Sequence, residues 1–326
     1  MGKKHVIKRS ADADRITLFE AFDDYMQEKE AHSLSPSTLH NYKQSFEYLC
    51  LYNKFNDKTF ADEVAEKSVY ILINSLKQND VSASSINHYL RDIRTFLYWC
   101  MDPTRDYITP SFKVREIEKQ EEKLKMFDDD EIELLLEKPT KREDYPAWRT
   151  WAIVNWVLAT GNREQTICDV KIEDLHFAER EIVLSHTKNK KAQVIPLSKS
   201  LETCLKEFIR VWRKDQPSTA WLFANYSNEK LTTNALRLSF ARYCKARGVS
   251  KTNLHGLRHN FAKQLIKNGY KEFKVQQILG HSSLAMTRKY VKLFSEDLKE
   301  DYDKYSPLDT IKRNAKRTKA VKKSED

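Results

Sequence analysis

From Thr17 onward, Leu18, Phe22, Tyr25 and Met26 recur at three- and four-residue intervals, the spacing that lines one face of an α-helix. Ser35-Pro36 then offers an N-cap with proline at the first helical position, ahead of Leu39, Tyr42, Phe46 and Leu49. A further helix is predicted from Ser82 to Ser85 onward, with Ile86, Tyr89, Leu90, Ile93, Phe96 and Leu97 on one side. The first ~100 residues therefore read as a compact all-helical unit.

Between Asp102 and Met126 the pattern lapses. Pro103 and Pro110 are followed by the charged run Lys113 to Lys125, which reads as a connector between domains. Past it, Asp128 to Asp130 cap a predicted helix bearing Ile132, Leu135 and Leu136, and Trp148 to Ala159 reads as a largely buried helix stopped at Gly161. The period then changes. Glu181 to Thr187 and Ala192 to Leu197 are short runs with β-branched residues around Lys188-Asn189-Lys190-Lys191, the pattern of a hairpin with a basic turn. Helical patterning resumes at Leu201, broken at Pro217 and Gly248, and runs to about Lys299. Leu298, Tyr302 and Tyr305 are spaced as one face of a short helix before Pro307. The basic stretch beyond Ile311 has almost no apolar anchor and is expected to be mobile when the protein is alone. The expected fold class is mainly α with a small β-hairpin or sheet. The expected organisation is a basic arm (1–14), a helical domain (15–110), a linker (111–126), a mixed α/β domain (127–295) and a C-terminal helix with a basic tail (296–326).

Length and composition add bounds. At 326 residues with 40% hydrophobic residues the chain can build a core in each of two domains. Lys and Arg outnumber Asp and Glu by 57 to 47, a balance that suits a polyanionic partner but fits many other basic proteins. Cys50, Cys100, Cys168, Cys204 and Cys244 are scattered, odd in number and never in a C-x-x-C pair, so neither a disulfide framework nor a zinc site is expected, and a reducing cytoplasm is the default. The charged N-terminus has no apolar leader core, and the longest apolar stretch, Trp151 to Ala159, is too short to span a bilayer. No membrane role is expected.

The chemistry is carried by five segments. Arg163 follows Ala159-Thr160-Gly161-Asn162, and Lys188 stands in the hairpin turn. His255-Gly256-Leu257-Arg258 places an imidazole and a guanidinium three residues apart, on one face if the segment is helical, where both suit one phosphate. His281 lies within Leu279-Gly280-His281-Ser282-Ser283, and Tyr290 comes nine residues later. Taken singly, each has an ordinary structural role: surface charge, helix cap or packing aromatic.

In this order they resemble the tyrosine recombinases, the family of integrases and Xer-like resolvases, over Phe127 to Phe294. The family's first arginine follows Thr-Gly, as Arg163 does. Its hairpin lysine precedes a V-x-P-L-like strand, as Lys188 precedes Val194-Ile195-Pro196-Leu197. Its H-x-x-R box matches His255 and Arg258, its L-G-H-S-S motif is reproduced at Leu279 to Ser283, and its nucleophile stands where Tyr290 stands. One departure is plain: many members carry an acidic residue three after the first arginine, where this chain has Thr166, with Glu164 and Asp169 nearby.

The resemblance implies a helical core-binding domain followed by a catalytic domain. It implies cleavage of double-stranded DNA through a 3′-phosphotyrosine, with no metal or cofactor. Arg163, Arg258, His255 and His281 would hold the phosphate, His255 would also serve as proton acceptor, and Lys188 would protonate the leaving oxygen. It further implies a tetramer on two duplexes, with accessory DNA-bending or directionality proteins, and a C-terminal segment docking on a neighbouring protomer. Two other readings stay open on sequence: a type IB topoisomerase-like enzyme sharing the same chemistry, and a DNA-binding regulator with a vestigial pocket.

Overall fold

A computed structural model describes residues 15–119, 126–140, 144–184 and 193–280. The chain divides into two compact units, residues 1–122 and 123–326.

The first unit is helical: α1 (Leu18–Ala31), α2 (Pro36–Asn53), a single 3-10 turn (Ala61–Glu63), α3 (Glu66–Gln78) and α4 (Ala83–Cys100). Three of the four helix starts carry side-chain caps, the one at Ser35 as the sequence predicts. The Thr17 hydroxyl accepts from the Glu20 amide while the Glu20 carboxylate accepts from the Thr17 amide, and Ser35 and Ser82 cap α2 and α4. The start of α3, at Ala65, has no side-chain cap bond, and the capping signals of the sequence do not reveal this helix. Phe22 stacks on Phe46 with ring centroids 3.8 Å apart, and Phe96 meets both edge-on. The unit does not stop at Pro110: Ile108 and Val114 are buried in its core, and Phe112 and Ile117 pack against it. Asn87, buried on α4, holds the far end of this segment with both halves of its amide. Nδ2 donates to the Ile117 carbonyl and Oδ1 accepts from the Ile117 amide, each at 2.8 Å.

The second unit is built around α6 (Tyr145–Thr160), buried on almost every side, with Trp156 fully enclosed. Before it lies α5 (Asp129–Leu136), capped by Asp128. After it come α7 (Glu164–Asp169) and a three-stranded antiparallel sheet, β1 (Leu175–His176), β2 (Glu181–Leu184) and β3 (Gln193–Pro196), in spatial order β1-β2-β3. The predicted hairpin is the β2-β3 pair, with Leu184 opposite Gln193 and Ile182 opposite Ile195. Ile182, Leu184 and Ile195 turn to the core, and Val194 faces outward. The chain continues through α8 (Lys199–Phe208), which runs into a π-helical turn (Ile209–Arg213), then α9 (Thr233–Ala246), α10 (Leu254–Lys267) and α11 (Glu272–Leu279). Phe127 opens this unit and is held as Ile117 is in the first: buried Asn260 on α10 accepts from the Phe127 amide at 2.9 Å and donates to its carbonyl at 2.7 Å. All five cysteines are buried as free thiols, two in the first core and three in the second.

The mainly helical fold with its small antiparallel sheet is the class that the hydrophobic pattern predicts. Among the described residues no helix is long and apolar enough to cross a membrane.

Candidate active site

The site is assembled on the turn that ends α6. Gly161 stands in the left-handed region at φ 64°, and its amide bonds to the Val157 carbonyl at 2.8 Å, closing the helix. Glycine is required here twice over. A side chain would strain the backbone, and an added Cβ would come within 2.3 Å of Phe261 Cδ1 and 2.8 Å of Leu279 Cδ2. The neighbours of Gly161 are held just as closely. The buried Thr160 hydroxyl donates to the Trp156 carbonyl and accepts from the Asn162 amide, and Asn162 Oδ1 accepts the Trp156 indole N–H at 2.9 Å. Arg163 thus leaves a rigid turn as the N-cap residue of α7.

His255 and Arg258 are both on α10, one turn apart, as the three-residue spacing predicts. His255 is the second residue of that helix, where the Asn253 side chain caps the Gly256 amide. Arg258 is almost fully buried, at 2% exposure, and its guanidinium bonds to the Gly161 and Leu279 carbonyls. Arg163 Nη1 lies 3.3 Å from the carbonyls of Leu279 and Gly280. The two arginines, 95 positions apart in the chain, therefore share the Leu279 carbonyl as acceptor. The Gly161, Leu279 and Gly280 carbonyls are dipoles, and the bonds to them orient the guanidiniums.

The acidic residues near Arg163 turn elsewhere. Glu164 accepts from Arg237 at 2.7 Å, and Asp169 pairs with Lys230 and accepts from Gln165. Among the described residues Arg163 is oriented by the carbonyls that end α11, with Thr166 at the departing position.

Burial and the neighbouring cations act together on His255. Its ring keeps an exposed edge, yet the protein crowded around the remainder holds its pKa below the ordinary histidine value, and the charges of Arg258 and then Arg163 push the same way. Its ring also meets that of His259 edge-on, with centroids 4.5 Å apart. The site therefore favours a neutral imidazole beside two guanidiniums, an arrangement that can grip an anionic oxygen and accept a proton next to it. The N-terminus of α10 adds its own positive end to the same place.

Three of the six residues singled out from sequence, Arg163, His255 and Arg258, are thus brought together. The other three, Lys188, His281 and Tyr290, lie outside the described residues, as does the C-terminal segment from Leu298 on. Gly280, at φ 59°, ends α11 immediately before His281. Gln193 was not legible as a site residue. At the start of β3, its amide nitrogen reaches the carbonyls of Gln277 and Ile278 at 2.9 and 2.7 Å, on the same helix end that the arginines hold. No local pattern signals a contact across 84 residues. Among the described residues no group of three or more His, Cys, Asp or Glu side chains is placed to hold a metal ion.

The profile of the phage integrase family matches residues 125–297, and that of the phage integrase N-terminal SAM-like domain matches residues 19–103. The tyrosine recombinase XerD of Oceanobacillus iheyensis is 28% identical over 283 residues, covering 84% of this chain and 93% of that protein. XerD of Staphylococcus haemolyticus is 27% identical over 305 residues, covering 89% and 99% respectively. Solved structures are similar as well, two of them as follows. A lambda integrase tetramer bound to a Holliday junction gives a TM-score of 0.68 at 19% identity, over 85% of this chain and 78% of that one. The Tn1549 transposon integrase in complex with a circular intermediate DNA gives 0.69 at 19% identity, over 84% and 95%. At that identity the structural likeness establishes a shared fold. With a family profile matched over more than half of its length, and two distant arginines converging on one helix end, the chain belongs to the phage integrase family.

Proposed function

We propose that this chain is a site-specific DNA recombinase that cuts and rejoins strands through a 3′-phosphotyrosine intermediate. The observation that carries the reading is the convergence of Arg163 and Arg258 on the Leu279 carbonyl with a neutral His255 beside them. The names of its relatives support the same reading.

The reaction needs charge stabilisation, a nucleophile, a proton acceptor and a proton donor. Tyr290 attacks the scissile phosphorus, forming the Tyr O–P bond and breaking the P–O5′ bond. His255 takes the tyrosine proton, and Lys188 gives a proton to the departing O5′. Arg163 and Arg258 stabilise the negative charge that builds on the non-bridging oxygens, and His281 adds a hydrogen bond to them. Reversal with a different 5′-hydroxyl rejoins the strand, and the phosphotyrosine ester conserves the energy of the broken bond. The partner is double-stranded DNA, engaged mainly through phosphates with fewer base contacts setting the site. Exchange between two duplexes requires several protomers, and a homotetramer is the assembly proposed. The C-terminal segment from Leu298 is proposed to couple neighbouring protomers.

The test is Tyr290→Phe on a nicked suicide duplex carrying the sequence that flanks the gene. Covalent complex should vanish, with DNA affinity within about threefold of the parent, because only the nucleophilic oxygen is lost. Adduct formation by the variant would move the nucleophile to another tyrosine. Recombined rather than merely relaxed products would separate this reading from a topoisomerase.

A further inference from the structure

The last carbonyls of a helix have no partner within it and must find donors elsewhere. At the end of α11 the Gly280 amide bonds back to the Gln277 carbonyl at 3.1 Å, and further donors come from three distant elements. Arg163, at the start of α7, takes the Leu279 and Gly280 carbonyls, and Arg258 on α10 takes Leu279 as well. Gln193 of β3 takes Gln277 at 2.9 Å and Ile278 at 2.7 Å. Gly280 lies between two of these side chains: a Cβ on it would sit 3.5 Å from Gln193 Oε1 and 3.8 Å from Arg163 Nη1. Gln193 also pairs with Leu184, the last described pair of the β2-β3 ladder, and the residues that join the two strands in sequence, 185–192, include Lys188. One side chain therefore links the hairpin to the carbonyl row on which both arginines are oriented.

We propose that Gln193 is a positioning residue for the cleavage reaction, fixing the base of the β2-β3 hairpin against the arginine-held end of α11. This rests on the reading of Lys188 as proton donor under the proposed function. The two arginines and the donor must address the same phosphate, and they are carried by elements with no covalent proximity. The ladder sets the hairpin's internal register, and burial of Ile182, Leu184 and Ile195 seats its core face. The two Gln193 bonds add a direct tie from the end of the ladder nearest residues 185–192 to α11, because an amide N–H pair spanning successive carbonyls tolerates little sliding. A displacement on the ångström scale at a reacting group costs on the order of 100-fold in rate.

The experiment uses full-length protein and a nicked duplex of the footprinted site, with either the natural oxygen or a bridging sulfur at the scissile 5′ position. With oxygen, cleavage breaks P–O5′ and the leaving oxygen takes a proton. With sulfur, cleavage breaks P–S5′ and the thiolate leaves without one. Gln193→Met keeps the length of the side chain and removes its donor. It should cleave the oxygen duplex about 10- to 100-fold more slowly than the parent while binding it within about threefold, and the sulfur duplex should restore it to within about threefold of the parent. A residue with a purely structural role would not respond to the leaving atom. Parental rates on oxygen, or equal slowing on both duplexes, overturns the proposal. Should Gln193→Met melt well below the parent, Gln193→Asn, whose amide falls one methylene short of the carbonyls, is held to the same two outcomes. Lys188→Ala runs alongside. If sulfur restores Gln193→Met but not Lys188→Ala, the donor is another group of the hairpin. The assignment of Lys188 then fails while that of Gln193 stands.

Discussion

The two units bury different things. Among its described residues the first encloses Ser45, Thr59, Ser68 and Asn87 as buried polar side chains and no charged one. The second encloses three arginines, Arg149, Arg213 and Arg258, at 6%, 2% and 2% exposure. Arg149 donates to the Ala224 carbonyl at 2.7 Å and Arg213 to the Trp221 carbonyl at 2.8 Å, so two of the three tie the loop before α9 to the rest of the unit. Burial presses on both, lowering their pKa from the ordinary arginine value, and each leaves its Nε without a hydrogen bond. Such groups cost desolvation energy that an apolar core avoids. The first unit is thus stabilised by shape, and the second accepts an electrostatic cost across several of its junctions. Among the described residues, the junction at Gly161 and Leu279 also gathers a histidine and a second guanidinium, and that combination sets it apart from a structural tie.

The contrast can be broken at its extremes first. Phe46→Ala removes the ring stacked on Phe22 and flanked edge-on by Phe19 and Phe96, and should destabilise the first unit by about 3–5 kcal/mol. In urea unfolding of the full chain followed by hydrogen exchange, the loss should be confined to residues before 119. Uniform loss across both units would show that they are not energetically separate.

Arg258→Ala should cost cleavage about 100-fold or more, near 3 kcal/mol, while DNA affinity falls only a few-fold, since stabilisation grows as charge builds in the transition state. Arg258→Lys should recover little, because a single ammonium cannot reach the Gly161 and Leu279 carbonyls with a rigid fork. A loss confined to affinity would mean that Arg258 only positions DNA.

The matched asparagines sharpen the comparison more finely. Asn260→Ala strands the amide and carbonyl of buried Phe127 and should cost about 1–3 kcal/mol. Asn87→Ala does the same at Ile117, which is only half-buried, and water can replace part of what is lost. Its cost should fall to about 1 kcal/mol. Exchange rates of the Phe127 and Ile117 amides report each clamp separately, and equal costs would mean that burial of the held backbone is not what sets the difference.

The smallest effect concerns pH. Because the folded pKa of His255 is held below its unfolded value of about 6.5, the unfolded chain takes up the proton first as pH falls. Stability from this group is complete above that value and is lost as pH falls through the folded one. The urea midpoint should therefore drop between pH 7.5 and 5.5 by less in His255→Gln than in the parent. An unchanged slope would mean that burial and the neighbouring cations do not depress the imidazole.

Much of this protein was determined locally and could be read without coordinates. Thr17, Ser35, Ser82 and Asp128 cap helices because a short polar side chain satisfies amides three residues away, and Gly161 and Gly280 end helices because only glycine takes those angles without strain. The spacing of His255 and Arg258 needed nothing beyond the helical period. Helix α3 escaped because its first turn lacks a side-chain cap, and β1 because two residues show no period. The remainder was decided only by the tertiary structure. Hydrogen bonds from Gln193 to Ile278, from Asn260 to Phe127 and from Arg163 to Leu279 join side chains to backbone carbonyls and amides 85, 133 and 116 residues away. Every residue carries those backbone groups, so the sequence marks none of them as a partner. The choice is made when packing brings donors from three elements to the carbonyls of one helix end.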